Sequence, residues 1–223
     1  MFDMKKIILV FVFIGSMCMA KAQESMQIHD PLTYRSINTE RYSGVKGSPF
    51  VFDNEMKGVV TTDKGTYEVE KMKFNCYDNI LQYTKNEEVF EITDVIVRFE
   101  FFAKQDDVEP TIRFEKGFSG SGIKPNQFAR VFTQGKVKFI RLDAKSLTDM
   151  NEINVGIIKT FADVTKWYIV KDGSVSLVKL NKTDITAFLS DQADAVQQYI
   201  NAQSLNLKKE DDCAKLIKYY NSL

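Results

Sequence analysis

Through residues 56–180 apolar side chains return at every second position, and no other feature restricts the fold as much. Val95, Val97, Phe99 and Phe101 alternate with Ile96, Arg98, Glu100 and Phe102, and Ile112 and Phe114 alternate with Arg113 and Glu115. A period of two marks strands with one face buried. The runs are separated by short polar turns: Asp63-Lys64-Gly65, Tyr77-Asp78-Asn79, Thr133-Gln134-Gly135 and Lys171-Asp172-Gly173. Turns this short join antiparallel neighbours, because a parallel crossover needs a dozen residues or more. The expected fold is therefore α+β, mainly an antiparallel β meander, and not a parallel nucleotide-binding sheet.

The alternation is broken in the same way three times. Val69 gives way to Met72, Phe139 to Ile140, and Leu177 to Val178, each time moving apolar residues to the other phase. Such a switch requires a bulge or a strand covered on both faces, so the sheet is expected to be curled or bulged. From Asn181 the period lengthens. Ile185, Phe188 and Leu189, then Ala193, Val196, Tyr199 and Ile200, follow helical spacing on either side of a break near Ser190-Asp191. A last helix over residues 208–221 places Leu216, Ile217 and Tyr220 on one stripe, with Glu210, Asp211 and Asp212 in the first turn, where the helix dipole favours acids. Two or three C-terminal α-helices should thus lie on the sheet. Cys76 is in phase with Met72 and Phe74, and Cys213 falls on the stripe of the last helix, so both face a core, where they could meet as a disulfide or remain inert thiols.

The N-terminus speaks to destination. Lys5 and Lys6 precede an uninterrupted apolar run over residues 7–14, and Ala20-Lys21-Ala22 has the small residues read by a signal peptidase. The run is too short to span a bilayer, which takes roughly 20 residues. Residues 1–22 read as a signal peptide cleaved between Ala22 and Gln23. Cys18 would suit lipid attachment only with a small residue before it, and Met17 stands there. Residues 23–50 are polar and aperiodic and read as an extended, partly ordered segment; residues 51–180 form the β domain, and residues 181–223 the helical segment packed on it. No other stretch is apolar enough to cross a membrane. The chain holds 30 basic and 30 acidic residues, and the signal takes more of the former, so no basic excess remains for nucleic acid.

Several chemistries are missing. The single histidine, His29, lies in the polar segment, so histidine triads have no framework there. His and Cys never cluster at metal-ligand spacing, and no G-x-S-x-G elbow joins a strand to a helix. Glu68, Glu70, Glu87, Glu88, Glu91, Asp106, Asp107 and Glu109 fall on strand faces or in turns and read as the solvated side of the sheet, although two carboxylates meeting across a cleft would suit glycoside hydrolysis. Gln105-Asp106-Asp107 lacks the acidic spacing of a calcium loop. The 17 phenylalanines follow strand alternation, as a core requires, and Trp167-Tyr168 reads as core packing or a rim. GFSGSGIKP, residues 117–125, resembles a phosphate loop in composition only. Lys124 is followed by Pro125 rather than by the Ser or Thr of a P-loop, and no helix begins after it. It reads as a flexible connection between strands. No catalytic, cofactor-binding or metal-binding residue is assigned, and no cofactor or nucleotide is expected.

GSPFVFDNEMKGVVTTDKGTYEVEKMKFNCYDNILQY (47–83), WYIVKDGSVSLVKL (167–180) and the ending LKKEDDCAKLIKYYNSL (207–223) together resemble a group of uncharacterised exported proteins of Bacteroidetes. Members of the group begin with a signal peptide, continue as hairpins and close with lysine-rich helices ending in tyrosine-asparagine. The resemblance implies a periplasmic or cell-envelope destination in a Gram-negative bacterium and carries no activity. The expected function is a non-catalytic binding or interaction module for an envelope protein, a glycan or an apolar ligand. The alternatives are a carboxylate-dependent polysaccharide hydrolase of the envelope and a carrier holding an apolar ligand inside a curled sheet.

Overall fold

A computed structural model describes residues 33–104, 107–108, 111–153 and 156–223. The expected signal and its expected cleavage point, Cys18, His29, Asp106 and Glu109 lie outside the described residues. In chain order the strands begin with β1 (Tyr34–Ser36), β2 (Val45–Lys46), β3 (Met56–Thr62), β4 (Thr66–Asn75), β5 (Ile80–Lys85) and β6 (Glu88–Ile92). They continue with β7 (Ile96–Phe101), β8 (Ile112–Glu115), β9 (Ala129–Val131), β10 (Val137–Glu152), β11 (Gly156–Lys171) and β12 (Ser174–Val178). The helices are α1 (Lys182–Ala187), α2 (Ala193–Ala202) and α3 (Glu210–Tyr220).

All of these strands belong to one sheet, in the order β1-β6-β5-β4-β3-β7-β8-β9-β10-β11-β12, with β2 attached to β11. The pairing is antiparallel throughout except between β2 and β11. The α+β meander read from the turns is therefore the observed fold. In the segment expected to be extended and partly ordered, β1 adds to the edge at β6 and β2 to the outer part of β11. These two pairings span the sheet from one end to the other.

The sheet is strongly curled. Phe74 on β4 and Phe114 on β8 are three strand spacings apart, about 14 Å in a flat sheet, yet their ring centroids are 5.4 Å apart. Between them Phe99 stacks on Phe114 at 4.9 Å and meets Phe74 at 5.1 Å. Phenylalanine rings thus fill the concave side, where a carried apolar ligand would have to lie. The curl brings backbones close at Gly58 on β3, where a Cβ would stand 2.4 Å from the Glu100 carbonyl oxygen. The pairing of β3 with β4 shifts register between Met56 and Gly58, which accounts for the switch from Val69 to Met72.

The other two phase switches have a different cause. The register of β10 with β11 runs unbroken from Val137 opposite Lys171 to Glu152 opposite Gly156. Here both faces are covered. Val137, Phe139 and Ile169 pack under α1, α2 and α3, while Ile140, Leu142 and Tyr168 form a second cluster with Phe118, Ile123 and Val175 on the reverse side. Val178 belongs to the helix side and Val175 to the reverse.

Residues 117–125 are not a flexible connection. Gly120 and Ile123 exchange backbone hydrogen bonds at 3.3 and 3.0 Å across Ser121-Gly122, whose φ values of 49° and 89° form the tight turn that suits a two-residue hairpin. Ser121 Oγ donates to the Val175 carbonyl at 3.0 Å, so the small hairpin is pinned against β12, and Phe118 and Ile123 are buried beneath it. The Gly117 and Gly120 amides are already engaged within the loop, so they are committed away from any phosphate.

The helical tail follows its sequence closely. Asn181 caps α1 by accepting from the Asp184 amide at 2.8 Å, and a short 3₁₀ turn, Ser190–Gln192, forms the expected break. The two cysteines do not meet. Cys76 belongs to the phenylalanine cluster and Cys213 to the helix cluster, and both are free thiols that burial pushes up to about 12. Among the described residues, no helix is long and apolar enough to cross a membrane.

Candidate functional site

A groove lies on the convex side of β4, β5 and β6. Strand alternation puts Met72 and Phe74 into the core, so Lys73 must face outward, and with it Gln82, its partner across the ladder. Thr84 and Val89, also paired, extend this floor. Two walls stand on it. One is the 3₁₀ turn Thr39–Tyr42, whose start is fixed by the Asn38 side chain accepting from the Glu40 amide at 2.9 Å. The other is formed by Pro49, Phe50 and Glu55. Between them is a groove of about 490 Å³.

Each wall is tied down by specific bonds. Tyr42 donates its hydroxyl proton to Asp78 in the β4–β5 turn and accepts from Asn75 Nδ2 at 3.1 Å. Arg41 pairs with the same Asp78 carboxylate at 3.0 Å. Asn75 is fully buried, and its carbonyl oxygen accepts from the Tyr77 and Asp78 amides at 3.1 and 3.0 Å, so the turn holds the shape that receives Tyr42. The Tyr42 ring also meets Phe161 of β11 edge-on at 5.3 Å, which ties the groove wall to the long hairpin. On the opposite side, Lys73 Nζ donates to the Asp53 carbonyl at 2.6 Å and sits 4.1 Å from the Phe50 ring centre, while Thr84 donates its hydroxyl proton to Glu55.

The lining combines the Phe50 ring, over which Lys73 Nζ stands, the Arg41 guanidinium, an amide at Gln82, hydroxyls at Thr39 and Thr84, and carboxylates at Glu40 and Glu55. A mixture of ring faces and short polar groups suits a ligand that is polar at its edges and apolar on its faces. A second depression of about 800 Å³ adjoins it and shares Glu55. Among the described residues no group of three or more His, Cys, Asp or Glu is placed to hold a metal ion.

Of the carboxylates singled out from sequence, Glu68 and Glu70 pair with Lys57 at 2.5 and 3.6 Å, and Glu91 pairs with Arg35 at 2.6 Å. Glu87 and Glu88 are exposed, and Asp107 accepts from the Lys104 amide at 2.9 Å. None of these six lines the groove; the carboxylates that do are Glu40 and Glu55, which carry no distinguishing pattern in the sequence. Trp167 is neither bare rim nor plain packing. Its indole N–H donates to Glu210 at 3.2 Å, and Glu210 also accepts from Arg141 Nη1 at 2.6 and 2.7 Å. Arg141 Nε lies 2.8 Å from Asp143, whose carboxyl burial lifts above the usual aspartate range while Arg141 pulls the other way. This network joins the first turn of α3 to β10 and β11.

No family model, curated protein or solved structure matches this chain.

Proposed function

We propose that the protein is an exported, non-catalytic binding module of the bacterial cell envelope and that its ligand is a glycan segment held in the groove between residues 38–43 and 49–55. The groove itself carries this reading. Its walls are anchored by bonds that do not depend on a ligand, so the site is largely preformed, as binding sites usually are. An aromatic ring flanked by an amide, hydroxyls and charged groups suits a sugar, which offers C–H groups on its faces and hydroxyls at its rim. The signal-like N-terminus and the resemblance to exported Bacteroidetes proteins support the destination.

A glycan array followed by titration calorimetry tests the reading. Binding should weaken on Gln82→Ala and on Phe50→Ala without loss of the fold, and a hit that both variants retain would sink it. Because Glu40 and Glu55 line the same groove, carboxylate-dependent hydrolysis is the second reading. Release of reducing ends from a bound polysaccharide, abolished by Glu55→Gln, would establish that reading in place of simple binding.

A further inference from the structure

Along its outer half β10 is paired on one side only, with Asp143 and Lys145 partly covered and residues 147–151 exposed. β9 covers β10 only at Ile140 and Arg141, and beyond these residues the described chain places no strand beside it. The Phe139 amide and carbonyl both point away from β11, toward Thr133 and Phe132. With the β10–β11 register unbroken, every second residue onward does the same. Asp143, Lys145, Leu147, Asp149 and Asn151 therefore present their N–H and C=O groups outward. Such an edge is a template for another strand.

We propose that this edge pairs with the same edge of a second copy, antiparallel about a twofold axis through Leu147. The sequence LDAKSLTDMNE, residues 142–152, is self-complementary about that centre. Lys145 falls opposite Asp149 of the second copy, Asp143 opposite Asn151, Ser146 opposite Thr148, Ala144 opposite Met150, and Leu147 opposite itself. All the odd-numbered pairs are outward-facing on both strands, so each can exchange two backbone hydrogen bonds.

Charge fixes the register. Within the hairpin Lys145 lies opposite Asp163, with Nζ 2.5 Å from its carboxylate, and Asp149 lies opposite Lys159. Across the four joined strands, one face then reads Asp163, Lys145, Asp149, Lys159, with signs alternating at every step. Sliding one copy by two residues sets Asp149 against Asp143 or against Leu147. Sliding it by four sets Lys145 against Lys145 or Asp149 against Asp149. Like charges directly opposite are destabilising. The half-exposed Leu147 and Met150 gain cover in the central register. This is an isologous contact, which uses the β10 edge of both copies and closes as a dimer. It uses no residue of the groove and does not depend on the proposed ligand.

The test is the mass of the purified protein by sedimentation velocity over a range of concentrations. A dimer is expected, with the 143–151 amides protected from hydrogen exchange. Asp149→Lys and Lys145→Glu should each raise the dimer dissociation constant at least tenfold, because each sets like charges face to face. An equimolar mixture of the two variants should recover the dimer. In the mixed pair the unaltered Lys145 of one variant meets the unaltered Asp149 of the other, and the two introduced side chains, of opposite sign, meet each other. A circular-dichroism melt shows that each variant is folded. A wild-type monomer at every concentration, or a dimer indifferent to both substitutions, overturns the proposal. So does a mixture that stays monomeric.

Discussion

Asn221, close to the end of the sequence, governs a turn 84 residues away. Its Oδ1 accepts from the Val137 amide at 2.9 Å, and its Nδ2 donates to the Val137 and Gln134 carbonyls at 2.7 and 3.0 Å. The start of β10, paired with β11 on one side, is thus hydrogen-bonded on the other side to a side chain instead of to a strand. Gly135 is part of the same fit, for a Cβ there would stand 2.9 Å from the Asn221 side chain. The neighbouring Tyr220 hydroxyl donates to Asp191 at 2.7 Å, and Lys171 reaches both groups, so the tyrosine-asparagine ending locks α3 to the sheet on two sides. Asn221→Ala leaves the amide of the buried Val137 without its partner. The expected loss is about 1–3 kcal/mol, the usual result of orphaning a buried donor. Urea unfolding of the variant checks this, and a midpoint equal to wild type would show that water replaces the side chain.

At the scale of elements, the outer half of the β10–β11 hairpin and the segment carrying β2 depend on one another. Phe161 is buried between the Tyr42 ring at 5.3 Å and the Tyr77 ring at 5.2 Å, although it lies well out along β11, and Gly47 packs against its backbone. Phe161→Ala should therefore act locally. Amide protection at Val45 and Lys46 is expected to fall to that of a free segment, while β3, β4 and β7 keep theirs, and hydrogen exchange resolved by mass spectrometry reads both. Equal loss across the sheet would mean that the strap is part of the global fold. The same dependence explains what the sequence left hidden. The meander was legible because its strands each bury one face, and burial writes a period of two. β1 and β2 bury little, so their sequences carry no period, and only partners more than fifty residues away make them strands. The groove inherits that limit, since one wall rests on Tyr42 reaching Asp78 and the floor consists of outward residues that look like ordinary solvated positions. The loop at 117–125 hides its structure for a related reason: its glycines announce backbone freedom, whereas Ser121 and the buried Phe118 and Ile123 decide that the freedom is used to make a fixed hairpin.

Across the whole molecule, the phenylalanine cluster and the helix cluster lie on the same side of one sheet, with no linker between them. Strand pairing connects them, because Phe114 on β8 neighbours Arg130 on β9, which in turn pairs with Arg141 on β10. Arg141 is bonded through Glu210 to α3 and to Trp167. Loss of either cluster would expose strand edges that the other needs, so the described residues should unfold in one cooperative step. Trp167, the single tryptophan, reports on the helix side alone. Phe114→Ala removes a fully buried ring from the far cluster and should cost about 3–5 kcal/mol, as large-to-small changes at buried aromatic positions do. In denaturant, Trp167 fluorescence and far-ultraviolet circular dichroism should shift together by that amount and remain superimposed, the mark of a two-state transition. If the fluorescence transition stays at the wild-type midpoint while the circular dichroism moves, the two clusters are separate folding units, and the sheet joins them in geometry without joining them in energy.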